Sequence, residues 1–163
     1  MPSPQAAGDI RLRRLLDDSL KQPVWPTGYA VRTLQPSDAA AVHALLVSVF
    51  DDGQEGPFPD WWQRVSQDGE FDPTLCFLAV DSQSLLVGVA LCWTSGFVKD
   101  LAVDPQHRGK GIGDALMAEV FRAFKARKTR RVDLKTSTVL NADAVRLYRR
   151  LGMVDVPWSG DTT

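Results

Sequence analysis

Cysteine is scarce in this chain: only Cys76 and Cys92 occur, each inside an apolar, strand-like run. Two such positions make neither a disulfide framework nor a metal-ligand spacing. Both are expected to be buried reduced thiols, and no metal site is expected. Long apolar runs are missing as well. Each one is interrupted well short of the ~18 residues that a membrane span needs, which excludes a membrane protein of that kind. There is no excess of positive charge either. The 19 Lys and Arg against 20 Asp and Glu give a net charge of -1, which argues against a general nucleic-acid binder. The first stretch, MPSPQAAGDIRLRRLL, has no apolar signal core after its basic residues, so a cytoplasmic location is expected. Internal repeats and low-complexity tracts are also absent.

What is there fits one globular unit. The chain has 163 residues, 44% of them hydrophobic and 24% charged, enough to build a proper core. Its organising stretch is FVKDLAVDPQHRGKGIGDA, from Phe97 to Ala115. An apolar run ends at Asp104-Pro105. A loop follows with Gly109, Gly111 and Gly113 at alternate positions, among Gln106, His107, Arg108 and Lys110. Leu116, Met117, Val120, Phe121 and Phe124 then recur at helical spacing. Strand, glycine loop and helix N-terminus together suit an anion. Glycines allow close backbone approach, and the first helical amides lack internal partners and sit at the positive end of the helix dipole.

The spacing excludes two common phosphate binders. In G-x-G-x-x-G terms the third glycine falls one residue early, at Gly113, and Asp114 occupies its place. No G-x-x-x-x-G-K-[ST] run exists. What remains is Q-x-x-G-x-G, formed by Gln106, Gly109 and Gly111. It resembles the acyl-coenzyme-A loop of the GCN5-related N-acetyltransferases (GNAT). A second stretch, STVLNADAVRLYRRLGM from Ser137 to Met153, places Asn141 as a helix cap. Ala144, Leu147, Tyr148 and Leu151 follow at helical intervals, and Gly152 ends the helix. Asn141 and Tyr148 lie about two turns apart on one face. The stretch resembles the family's second motif, N-x-x-A-x-x-L-Y-x-x-x-G-F, with Met153 in place of the final aromatic.

The remaining elements can be taken in order. Residues 1–28 read as an N-terminal extension. Pro2 and Pro4 favour a loose start, and Ile10, Leu12, Leu15, Leu16 and Leu20 fit a short amphipathic helix that packs on the surface or binds a partner. Tyr29 to Leu34 is a first strand. Pro36-Ser37-Asp38 opens a helix capped by Ser37 or Asp38 and carrying His43, expected as a surface or packed histidine. A loop with Asp51, Asp52 and Glu55 is either solvated or attractive to a cationic amine. Pro59 to Val65 is a short helix with Trp61 and Trp62. Thr74–Val80, Leu85–Thr94 and Phe97–Val103 form an antiparallel meander. The basic end of the next helix, from Arg122 to Arg131, matches the helix dipole, with a cofactor phosphate as a second role and nucleic acid as a third. Val132–Thr136 follows through a right-handed crossover, parallel to Phe97–Val103.

The resemblance covers about Tyr29 to Val156. It implies an α/β (α+β) single domain over 29–163: a mixed sheet with an antiparallel meander, a splayed parallel strand pair and helices on both faces. It implies acetyl-coenzyme A as the acyl donor. Main-chain groups of Leu101, Ala102 and Val103 would take the pantetheine arm. Gln106, His107, Arg108, Gly109, Lys110, Gly111, Ile112 and Gly113 would hold the pyrophosphate, and Asn141 and Tyr148 would close the site. Direct transfer then needs three groups: the Leu101 amide as oxyanion donor, Tyr148 as the acid for the departing thiolate, and a carboxylate base. Asp100 is the candidate base, on the opposite strand face from Lys99 by alternation, although an exposed strand aspartate accounts for it equally. The acceptor is a small-molecule or peptide amine, its pocket walled by Asp51–Trp62, Trp93 and the tail. No nucleic acid or membrane partner is expected, and the chain is a monomer or a homodimer. A non-catalytic acyl-coenzyme-A-binding module is the competing function. Few residues follow Met153, so the last strand of such a sheet is expected to be short, missing or supplied from elsewhere.

Overall fold

Arg11 and Arg13 both bond to Asp133. Arg11 Nη2 donates to Oδ2 at 2.8 Å, and Arg13 Nε donates to Oδ1 at 2.8 Å. Residues two apart share a face on a strand and point apart on a helix. In this computed structural model, which describes residues 8–157, Asp9–Leu15 is accordingly a strand, β1. This corrects the amphipathic helix expected there. Leucine and arginine favour helices by propensity, but sheet pairing overrides that bias. Leu12 faces the core and is fully buried, whereas Leu15 is exposed. Burial pushes the Asp133 carboxyl up, and the Arg13 and Arg11 guanidiniums overcome that and hold it below the usual carboxylate range. The loose start read at Pro2 and Pro4 lies outside the described residues.

The other strands are β2 (Ala30–Thr33), β3 (Phe71–Val80), β4 (Leu86–Trp93), β5 (Phe97–Val103), β6 (Arg131–Ser137) and β7 (Val154–Val156). They form one seven-stranded sheet in the order β2-β3-β4-β5-β6-β1-β7. All neighbours are antiparallel except β5 and β6. The meander β3-β4-β5 and the parallel crossover β5–β6 stand where the sequence placed them. The terminal strand is short, and it pairs with β1 instead of β6. β1 takes the place beside β6 along its whole length, so the missing edge is supplied from the N-terminal segment.

Among the described residues, four helices cover the two faces: α1 (Ala39–Phe50), α2 (Phe58–Ser66), α3 (Ile112–Ala126) and α4 (Ala142–Arg150). α1 and α2 bury Val42, Leu45, Leu46, Trp61 and Val65 against Leu78, Val89, Leu91 and Ala102. α3 and α4 lie on the other face, where Leu116, Met117, Val120, Phe121, Phe124 and Tyr148 pack with Leu12, Ala90 and Val132. Each large apolar side chain buried there contributes roughly 1.5–3 kcal/mol. Ahead of α1 a single turn, Pro36–Asp38, intervenes. Asp38 Oδ2 there accepts from the Gln35 amide at 2.8 Å, so the turn is closed backward onto Gln35 and not by a Ser37 cap.

The segment between β1 and β2 runs back over α3. Leu16, Leu20, Trp25 and Tyr29 pack on that core. Trp25 Nε1 donates to Glu119 Oε2 at 2.9 Å, and Tyr29 Oη shares a 2.7 Å hydrogen bond with His107 Nδ1. At the far end of α3, Lys125 pairs with Asp18 and Arg127 with Asp72. That end lies about 22 Å along the helix axis from its glycine-rich start.

Gly96 makes the β4–β5 turn with φ of +92°, and a Cβ there would sit 2.7 Å from the Arg131 carbonyl oxygen. Gly96→Ala is therefore expected to cost about 2 kcal/mol or more from left-handed strain plus backbone overlap, read as a lower Tm in thermal unfolding. An unchanged Tm would contradict this packing.

Candidate functional site

The parallel pair is joined only at Phe97↔Asp133 and Val98↔Leu134. Beyond those residues β5 runs on to Val103 and β6 to Ser137 without further pairing to each other. A β-bulge lies at this point. The β4–β5 register shifts between Leu91↔Asp100 and Cys92↔Val98, leaving Lys99 as the extra residue. Bulges bend and twist a strand, and here the bend turns β5 away from β6. It also overturns the expected alternation. Lys99 and Asp100 are not on opposite faces, because Lys99 Nζ donates to Asp100 Oδ2 at 2.8 Å.

The Asp104 amide bonds to the Val87 carbonyl on β4 at 2.8 Å. Alternate residues of a strand address the same neighbour. Ala102 therefore faces β4 with its main chain, while Leu101 and Val103 direct theirs into the opening toward β6. The Val103 carbonyl accepts from Arg108 Nε at 2.9 Å across that opening.

A cleft of about 800 Å³ fills the splay. Its walls hold Leu101, Ala102 and Val103 from β5, and His107, Arg108, Gly109, Gly111, Ile112 and Gly113 from the loop and the start of α3. Asn141 and Tyr148 close it from α4, and Val49 and Phe50 from the end of α1. Three residues expected in the site do not line this cleft. Gln106 has its amide tied to Asp104 Oδ1 at 2.9 Å within the turn, Lys110 is exposed on the loop, and Asp100 pairs with Lys99. Gly109 and Gly111 have φ of +76° and +92°, and nothing lies within 4 Å of a Cβ built on either. Their surroundings are open, so an anion can approach the main chain closely. Gly111 occupies the N-cap of α3, which leaves the first amides of that helix facing the cleft.

Tyr148 is 6% exposed. Burial, reinforced by Asp100, pushes its phenol above its ordinary value, so it is protonated at neutral pH. Asn141 stands at the N-cap position of α4, but its side chain makes no capping bond. Its Nδ2 instead donates to Thr136 Oγ1 at 3.5 Å, and Ser137 Oγ accepts from the Val139 and Leu140 amides of the preceding turn. Arg150 pairs with Asp114 at 2.8 Å and ties α4 to the first turn of α3 across the cleft mouth.

The model of the acetyltransferase (GNAT) family matches residues 39–153. The chain belongs to the GNAT acetyltransferase family. It is 33% identical over 157 residues to a mycothiol acetyltransferase of Thermobispora bispora, an alignment covering 87% of this chain and 52% of that protein. It is 31% identical over 130 residues to a streptothricin acetyltransferase of Streptomyces lavendulae, covering 77% and 62%. A crystal structure of a GCN5-related N-acetyltransferase from Sphaerobacter thermophilus superposes with a TM-score of 0.81 at 31% identity, covering 91% of this chain and 48% of that one. The chain thus spans about half the length of that structure and of the mycothiol acetyltransferase.

Besides β1, two features near the cleft escaped the sequence. The bulge at Lys99 has no marker in FVKDLAV, since neither glycine nor proline announces it. The second is Glu55, on the loop between α1 and α2, which is 7% exposed although its sequence neighbours, Asp51, Asp52 and Gln54, suggest a solvated turn. Trp93, expected near the acceptor, instead lines a smaller cavity of about 220 Å³ with Arg11, Glu70 and Phe97. The tail expected beside the acceptor lies outside the described residues from 158 onward.

Proposed function

We propose that this GNAT domain transfers an acetyl group from acetyl-coenzyme A to a primary amine of a small molecule by direct attack. The observation that carries the reading is the splay itself. Leu101 and Val103 direct main-chain groups into the opening, where an extended pantetheine arm can pair with them, at the mouth of a glycine loop and helix N-terminus that suit a diphosphate. The two named acetyltransferase relatives, for mycothiol and streptothricin, support a small-molecule acceptor.

The roles follow from the positions. The Leu101 amide points into the cleft, where it can donate to the thioester oxygen as negative charge develops. Arg108 must share or release the Val103 carbonyl when the arm binds. Tyr148 supplies the proton for the departing thiolate, and its raised pKa ensures that it carries one. Asp100 contributes to that elevation from the strand, which gives it a positioning role through Tyr148. Asn141 orients the loop before α4 through Thr136.

The test is thiol release from acetyl-coenzyme A over a panel of polyamines, streptothricin, aminoglycosides, amino acids and peptides. Transfer to at least one small amine is expected. Saturable acetyl-coenzyme-A binding without transfer to any member would instead favour a binding module.

A further inference from the structure

The segment between β1 and β2 ends beside the glycine loop. It crosses α3 as a strap, with Leu16, Leu20, Trp25 and Tyr29 against the core. The family model begins at residue 39, so the strap precedes the matched region. Its last turn is held on both sides of Tyr29. Trp25 Nε1 donates to Glu119 Oε2 at 2.9 Å, and the Tyr29 amide bonds back to the Pro26 carbonyl at 3.2 Å. Ala30, the next residue, is already paired with Val80 in the sheet. The Tyr29 phenol is thus delivered to one place.

That place is His107. Tyr29 Oη and His107 Nδ1 are 2.7 Å apart. The two rings meet edge to face, with centroids 5.7 Å apart and planes at 88°. His107 is half-buried and lines the cleft, in the loop whose glycines leave the main chain open. The turn that carries it closes without Tyr29. The His107 amide donates to the Asp104 carbonyl at 2.9 Å, and the Gln106 amide donates to Asp104 Oδ1 at 2.9 Å. The bond to Tyr29 therefore governs the side chain and not the path of the backbone. Among the described residues it is the one hydrogen bond of the imidazole, which leaves Nε2 without a protein partner.

A hydrogen bond at one ring nitrogen sets the tautomer at the other. A phenol that donates to Nδ1 leaves the ring proton on Nε2. A ring that donated from Nδ1 would carry a lone pair on Nε2 and repel an anion. We propose that Tyr29 is a positioning residue for the acyl donor. Its hydroxyl donates to His107 Nδ1 and fixes the imidazole as an Nε2–H donor to the coenzyme diphosphate, beside the main chain of Gly109 and Gly111. The proposal rests on the acetyl-transfer reading above. Tyr29 does not touch the coenzyme and acts through His107. A donor already in one tautomer and one orientation costs the incoming ligand less than a free imidazole would. Coenzyme affinity is thereby tied to a strap that lies before the family match.

Tyr29→Phe keeps the ring and its edge contact and removes the hydroxyl. Calorimetry with acetyl-coenzyme A should show about 10-fold weaker binding, the scale of one hydrogen bond to a charged group. The kcat at saturating acetyl-coenzyme A should stay at the wild-type value. The kcat/KM with S-acetylpantetheine, which carries no phosphate, should also be unchanged. His107→Ala should weaken acetyl-coenzyme-A binding about as much, and Tyr29→Phe added to it should cost nothing more. The tautomer has its own signature. His43 and His107 are the two histidines of the chain, so imidazole nitrogen NMR spectra can be assigned with His107→Ala. In mildly alkaline solution they should place the His107 proton on Nε2 in the wild type and divide it between both nitrogens in Tyr29→Phe. A wild-type proton on Nδ1, additive losses in the double variant, or an unchanged acetyl-coenzyme-A affinity in folded Tyr29→Phe would each overturn the proposal and leave acetyl transfer intact. An equal loss with S-acetylpantetheine would do the same, since it would mean a general loosening of the cleft. A wild type that binds no acetyl-coenzyme A would instead overturn the reading beneath it.

Discussion

Tyr148→Phe is expected to lower kcat by about 100-fold or more, the usual contribution of a well-placed proton donor, while the acetyl-coenzyme-A Kd changes little. The ring remains, so the packing in the α3–α4 core remains with it. The hydroxyl is removed from the one phenol that lines the cleft. Burial and Asp100 both keep that phenol protonated, which suits it to donating and not to abstracting a proton. Steady-state kinetics beside calorimetry separates the two quantities. A turnover number equal to wild type would remove Tyr148 from the chemistry, and a collapsed coenzyme affinity would make it a binding residue only.

The second large effect belongs to the loop. Gly111→Val should weaken acetyl-coenzyme-A binding by about 100-fold, which is about 2.7 kcal/mol. A side chain at this N-cap fills the open space that a diphosphate needs to reach the first amides of α3. The protein itself has room for it, since nothing lies within 4 Å of the built Cβ. The cost to folding is the left-handed φ of +92°, about 2 kcal/mol and a Tm lower by about 4–8 °C. Gly53→Val supplies the control. It carries the same kind of strain at φ of +71°, also in open space, but lies on the α1–α2 loop. It should lose stability and retain coenzyme affinity. Equal affinity loss in both variants would mean that strain, not a blocked approach, explains Gly111.

Much of this was legible in the chain because local signals agreed with the global fold. The glycine loop, the helix after it and the Asn141–Tyr148 helix each carry a spacing that one conformation satisfies. The β3-β4-β5 meander followed from apolar runs cut by turn residues. β1 was not legible. Leucine and arginine at positions 10–16 fit a helix until Asp133, more than a hundred residues later, supplies a partner for both arginines. The bulge at Lys99 is equally non-local, since it exists only as a mismatch between β4 and β5. Glu55 was hidden for a related reason. An acidic turn reads as solvated, and only the packing of α1 and α2 around it takes its carboxylate out of water. The features around β1, Lys99 and the α1–α2 loop are non-local, whereas the signals of the glycine loop are local, which made that part of the chain easier to read.

The most direct measurement is a calorimetric titration of acetyl-coenzyme A into the wild-type chain. A splay with main-chain groups turned into the opening and an open glycine loop should give saturable binding of one molecule per chain. A flat titration with correctly folded protein would contradict the account at its base.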